Sequence, residues 1–266
     1  MDVSLYRMIP PDVQDSLFVN SVPLMNVISH EIEDVVINNQ LPVDFYAGFQ
    51  RFSFFTRQIK RYRKLAAVCR RVYVWGIPDV DPPPIPGVEY IPLTPDMDLA
   101  KEWFLVVDMP NFFTALLTQE QTYGRSVPPG QRRFQGVWTY DADLVGRAYL
   151  LISQILGQHY RPNLSRNYES QNRYLVQISN RLVQRQDAID QAIQRSKLLD
   201  QGQHPALDLL EAPKHRIRMN RDGRIVRRTQ GCHHRRLAAI EVEFLENPTE
   251  ALIDQLILHI CRLSLQ

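Results

Sequence analysis

Glycine is scarce in this chain, at 11 of 266 residues, and it falls into none of the spacings that cradle a phosphate. No Walker-type loop, dinucleotide fingerprint or nucleophile elbow is present, so nucleotide hydrolysis, nicotinamide chemistry and serine hydrolysis lack their usual scaffolds. Cysteine is rarer still. Cys69, Cys232 and Cys261 are far apart and odd in number, which excludes a disulfide framework and a zinc-ligand spacing. Apolar runs fall short of the ~20 residues a membrane helix needs, and Met1-Asp2-Val3-Ser4 has neither the basic nor the apolar region of a signal peptide. A cytoplasmic protein without membrane contact is expected. The apolar share of 44% and charged share of 23% are those of an ordinary globular chain.

Acids are missing from two stretches, and this matters more than the net charge of +2. From Lys214 to Arg236 stand nine basic residues against the single acid Asp222, which leaves 22 basic and 28 acidic residues elsewhere, net −6. Phe45–Pro78 holds no acid and carries Arg51, Arg57, Lys60, Arg61, Arg63, Lys64, Arg70 and Arg71. Two basic patches therefore sit on an otherwise acidic protein.

Periodicity organises the first 160 residues. Leu24, Val27, Ile28, Ile32, Val35 and Val36 recur at helical spacing over Pro23–Gln40, with His30, Glu31, Glu33 and Asp34 mostly opposite. Strands are expected at Val43–Ala47, Arg71–Trp75, Val88–Ile91, Trp103–Val107 and Phe134–Thr139, and helices along the Phe55–Cys69 stripe, over Asn111–Gln121 and from Asp141 to Leu156. A proline loop, Pro78 to Pro86, separates two of the strands. This alternation predicts an α/β domain with a mostly parallel sheet flanked by helices, its ligand region beyond the carboxyl ends of the strands. Those ends are Gly48–Arg51, Gly76–Asp79, Asp108–Asn111 and Tyr140-Asp141.

The texture changes past Pro162. A long polar helix over Tyr168–Leu199 carries Leu175, Ile178, Leu182, Ile189 and Ala192 near heptad positions, to be packed on its own domain or to form a coiled-coil homodimer contact. An arginine-rich β-hairpin follows, Arg216–Met219 and Arg224–Arg227 about Asn220-Arg221-Asp222-Gly223, then the strand Ala239–Phe244 and a terminal helix from Pro248 to Leu263. Residues 15–160 are thus expected as one α/β domain and 161–266 as helix, hairpin, strand and terminal helix packed on it.

The hairpin holds the strongest chemical signal. Strand parity places Arg216 and Arg218 on one face with Arg224 opposite Arg227, so several guanidiniums lie close in a two-stranded ribbon. Arg216, Arg218, Arg221, Arg224, Arg227 and Arg228 are the candidate ligand residues, and like charges that close are costly unless something negative sits among them. Guanidinium forks match phosphate oxygens and the O6 and N7 edge of guanine, and they stack on bases, so a guanine nucleotide satisfies all three modes. Pairing with the acidic tail Glu241, Glu243, Glu246, Glu250 and Asp254 is the open alternative. Docking on nucleic acid is another, and its steep salt dependence separates it from a pocketed ligand. His215 with Cys232-His233-His234 is unsuited to a metal amid four arginines, and Glu250-Ala251-Leu252 lacks the carboxylate set of a phosphodiesterase.

Gly48-Phe49-Gln50-Arg51-Phe52, Tyr62-Arg63-Lys64-Leu65-Ala66, Val74-Trp75-Gly76-Ile77-Pro78-Asp79 with the prolines to Gly87, and Glu102–Asp108 together resemble the DICT sensory domain over roughly residues 15–160. The resemblance implies a non-catalytic sensor near cyclic di-GMP signalling. With no cyclase or kinase module attached, the chain is similar to the stand-alone cyanobacterial cyclic di-GMP receptor proteins. Arg224 and Arg228 fit the Arg-x-x-x-Arg of a PilZ domain, but its downstream partner motif is missing. The expectation is a receptor without cofactor that binds cyclic di-GMP through the hairpin arginines, with Arg51 reaching from the sheet edge, and that relays the signal to a partner such as a transcription factor. A sensor for another ligand stays open.

Overall fold

Among the described residues, seven segments rich in β-branched and aromatic residues pair into one sheet of order β1-β7-β6-β5-β2-β3-β4. They are β1 (Phe18–Ser21), β2 (Asp44–Arg51), β3 (Arg71–Ile77), β4 (Val88–Pro92), β5 (Glu102–Asp108), β6 (Phe113–Glu120) and β7 (Arg133–Thr139). The helices are α1 (Val22–Asn38), the single turn α2 (Phe52–Phe55), α3 (Ile59–Val68), α4 (Ala142–Ile155) and α5 (Tyr168–Asp200). The computed structural model describes residues 3–11, 13, 17–159, 163 and 165–200. The expected hairpin, closing strand and terminal helix lie outside the described residues. The chain divides into two compact units, Met1–Arg181 and Leu182–Gln266. Among the described residues, no helix is long and apolar enough to cross a membrane.

The α/β class holds, but the sheet is not mostly parallel. Only β2-β3 and β3-β4 run parallel; β5 pairs antiparallel with β2, and β6, β7 and β1 follow antiparallel in turn. The difference traces to Asn111–Gln121, which periodicity assigns to a helix and which forms β6. Phe113 to Thr118 are all buried, and a short run apolar on both faces has no period to tell strand from helix. Met109 N–H donates to the Phe112 carbonyl at 3.1 Å, and a turn that tight can only return the chain antiparallel. Gly136 marks how closely β7 lies on β6: a Cβ there would stand 2.0 Å from the Leu117 carbonyl oxygen.

Local chemistry sets the helix ends. The Asp141 carboxylate accepts from Leu144 N–H at 2.7 Å and starts α4, while Pro23 opens α1, where its missing N–H costs nothing. α1 is not the amphipathic surface helix its pattern suggests. Glu31 and Glu33 are as buried as Ile28 and Ile32, and arginines distant in sequence pair with them. Arg61 of α3 binds Glu33, Asp34 at 2.5 Å and the His30 carbonyl at 2.7 Å, and Arg181 of α5 reaches Glu31 at 2.5 Å. Arg61 is therefore structural and not part of a free basic patch.

The first turns of α5 dock on β6. Gln171 accepts from the Phe113 N–H and donates to its carbonyl, both at 3.0 Å, and Tyr174 meets Phe112 edge-on. Leu175, Ile178 and Leu182 are buried, whereas Ile189 and Ala192 are half-buried. The proximal part of the helix is thus packed as the plain reading of its heptads requires.

At the start of β5, buried Glu102 holds the N-terminal segment by accepting from Ser4 Oγ at 2.5 Å, Leu5 N–H at 3.0 Å and Tyr6 N–H at 3.3 Å. Burial pushes its carboxyl up from 4.5 to about 7. In the window between those values the folded chain keeps a proton that the unfolded chain has released. Stability from this group is therefore complete below about pH 4.5 and lost as pH rises through about 7. Urea midpoints followed across this window should fall for the wild type and fall less steeply in Glu102→Gln, where Glu33, also pushed up to about 7, still contributes; equal slopes would contradict the assignment.

Candidate functional site

The parallel strands and β6 all point their carboxyl ends to one edge of the sheet, since β5 between β2 and β6 runs the other way. At that edge the β2–β3 register slips between Gly48 and Arg51, and Gln50 adopts a left-handed φ of 64°. Such a φ in a non-glycine residue costs about 1 kcal/mol or more and persists only where its surroundings hold it. Gly76 on β3 gives the slip room: a Cβ there would stand 3.1 Å from the Arg51 carbonyl carbon and 3.2 Å from Phe52 N.

The turned Gln50 side chain is 2% exposed and joins a charged pair. Its Nε2 donates to Glu120 Oε2 at 3.0 Å, and its Oε1 accepts from Arg132 Nη2. Arg132 grips Glu120 in a fork, Nε to Oε1 at 3.0 Å and Nη2 to Oε2 at 2.7 Å, and Thr122 Oγ1 donates to Oε1 at 2.8 Å. The guanidinium also lies over two rings, 4.6 Å from the Phe54 centroid and 5.0 Å from that of Phe134. Burial alone would raise the Glu120 pKa, but the bonds from Arg132, Thr122 and Gln50 outweigh it and hold the carboxyl below its ordinary value. Among the described residues, no bond from Arg132 uses Nη1.

Around this triad opens a cleft of about 500 Å³, walled by Arg51 and Phe54 on one side and by the β6–β7 loop, Thr122 to Val127, on the other. Three arginines line it, Arg51, Arg125 and Arg132, against the one carboxylate of Glu120. Arg51 is lightly held, 43% exposed and 4.0 Å from Asp79. Burial nudges the Asp79 pKa upward, yet the Ser53 hydroxyl and N–H, donating at 2.6 and 3.0 Å, hold it below its ordinary value, with Arg51 a smaller influence. Asp79 is thus satisfied without Arg51. Arg125 is exposed. The cleft combines one locked guanidinium with two that remain adjustable, the chemistry of an anion site.

Of the site residues expected from sequence, Arg51 lines this cleft, while Arg216, Arg218, Arg221, Arg224, Arg227 and Arg228 lie outside the described residues. The strand ends Asp108–Asn111 and Tyr140-Asp141 are at the opposite edge because β5 and β7 run antiparallel to β2. Asp108 there binds Arg166. Phe54, Glu120 and Arg132 escape sequence reading: 66 residues separate Phe54 from Glu120, and only the sheet brings them together. The left-handed turn at Gln50 has no signal in the sequence, although Gly48 and Gly76 hint at close packing.

Cutting the pair tests its role. Glu120→Ala strands a guanidinium that is 13% exposed, and should cost about 2–3 kcal/mol. Glu120→Gln, which keeps the shape, should cost less. Urea unfolding at fixed pH reads both, and an unchanged Glu120→Ala midpoint would show that the pair holds nothing.

Two family models match the chain. Residues 2–121 match DICT, described as a sensory domain in diguanylate cyclases and two-component systems, and residues 130–205 match CHASE6_C, described as the C-terminal domain of a two-partite extracellular sensor domain. The resemblance drawn from motifs spans residues 15–160, and no motif anticipates the second match. No curated protein and no solved structure matches.

Proposed function

We propose, for a chain whose residues 2–121 are a DICT-type sensory domain and whose role is that of a signalling sensor, that the ligand sensed is cyclic di-GMP and that it binds in the cleft at Arg51, Arg125 and Arg132. The single observation that carries the reading is the convergence of these three guanidiniums at one sheet edge, with the acid among them already engaged by Arg132. With Arg51 only lightly held by Asp79 and Arg125 exposed, the cleft favours a dianionic ligand, and each charge-assisted contact contributes roughly 1.5–3 kcal/mol. The name of the matched family places such domains beside enzymes that make cyclic di-GMP, a molecule with two phosphates and two guanines. On this reading the protein is a receptor and not an enzyme, it needs no cofactor, and it relays messenger level by changing contact with a partner protein such as a transcription factor.

Calorimetric titration of the full chain with cyclic di-GMP tests this. The wild type should bind. Arg51→Ala with Arg125→Ala should weaken binding at least about tenfold, while Arg218→Ala with Arg224→Ala reports separately on the distal segment. The messenger should be recovered unhydrolysed. Absence of wild-type binding, or full affinity in the Arg51/Arg125 pair, would overturn the cleft as the site.

A further inference from the structure

Phe54 is out of place for a core residue. Its neighbours in sequence, Phe52 and Phe55, are buried, and both pack edge-on against Tyr90. Phe54 instead stands 40% exposed on the cleft wall, with the Arg132 guanidinium over its ring. An isolated exposed apolar residue needs no explanation in general. This one has three features that do. It sits on a turn that begins directly after the strained Gln50–Arg51 bulge; its ring is fixed by a guanidinium that Glu120 and Gln50 lock; and it lies on the same cleft wall as Arg51.

We infer that Phe54 is the specificity-determining residue of the cleft: a purine base stacks on its open side and extends the Arg132–Phe54 pile by one ring, while the phosphates reach Arg51 and Arg125. This deepens the reading of the cleft as a nucleotide site and rests on it. Locking matters because a base that stacks on a mobile side chain must also order it, whereas here Glu120, Gln50 and the Phe134 ring have already fixed the guanidinium beneath. A cleft recognising phosphate alone would need the arginines and no aromatic surface. The consequence is a ligand class: the site takes a base-bearing phosphodiester and rejects inorganic pyrophosphate and ribose 5-phosphate, which bring charge without a ring.

Stacking has a readout that charge does not. A cyclic dinucleotide carrying 2-aminopurine in place of one guanine should lose fluorescence when bound to the wild type. In Phe54→Ala the quenching should vanish, and affinity for cyclic di-GMP should fall about fivefold or more. Phe54→Trp should restore both, while Phe54→Leu, which keeps apolar bulk without a π face, should not. Pyrophosphate and ribose 5-phosphate should fail to displace the probe at concentrations where cyclic di-GMP does. If the wild type binds cyclic di-GMP and Phe54→Ala or Phe54→Leu binds equally well, the inference fails and the arginine cleft stands. Displacement by pyrophosphate would likewise defeat the inference alone. If the wild type binds no cyclic di-GMP, both fall together.

Discussion

The Arg132 guanidinium lies over Phe54 and Phe134, and the arrangement of the sheet's carboxyl edge depends on what keeps it there. A cation that is 13% exposed needs a partner, and Glu120 supplies one in bidentate geometry. Gln50 completes the set, but only because its backbone turns left-handed and sends the carboxamide between the two charges. That turn in turn needs Gly76 beside it, where any Cβ would crowd Arg51 and Phe52. The strain at Gln50 and the hydrogen bonds of the triad offset each other. The outcome is a rigid floor between two walls, one starting at Arg51 and the other made by the β6–β7 loop.

The same triad ties together stretches that match two different family models. Gln50, Arg51, Phe54 and Glu120 fall within the first, residues 2–121, and Arg132 falls within the second, residues 130–205. They are not separate modules in this chain. β7 of the second stretch is hydrogen-bonded between β1 and β6 of the first, and without it β6 would present an unpaired edge. At the other edge Arg166 binds Asp108 and lies 4.5 Å over the Phe113 ring, a second clasp between the two stretches. A ligand that contacted both Arg51 and Arg132 would therefore span the join between the two stretches.

Much of this is legible in the sequence, and the limits have physical causes. Local signals work where local chemistry decides. Asp141 as a helix cap, the parallel pair around the Gly48 and Gly76 motifs, and Arg51 at a strand's carboxyl end are all read from neighbours in the chain. Reading fails where burial is two-sided or partners are distant. Phe112 to Leu117 has no polar face and so no period, and the mistaken helix there makes the sheet look mostly parallel. Glu31 and Glu33 have the spacing of a solvated face, and nothing nearby announces Arg61, 28 residues from Glu33, or Arg181, 150 residues from Glu31. Arg132 and Glu120 are missed for the same reason. The uneven distribution of charge points to the arginine-dense segment after residue 213, while the cleft holds only three arginines, and their significance lies in convergence, not in number.

Whether the messenger sits among those three is the central claim, and photo-crosslinking decides it most directly. A cyclic di-GMP carrying a photoreactive group on one base, bound to the full chain, irradiated and mapped by mass spectrometry, should mark the peptides that contain Phe54 and the loop from Thr122 to Val127, with protection by excess unlabelled ligand. Labelling confined to the segment from Lys214 to Arg236, with the cleft peptides unmarked, would contradict the account.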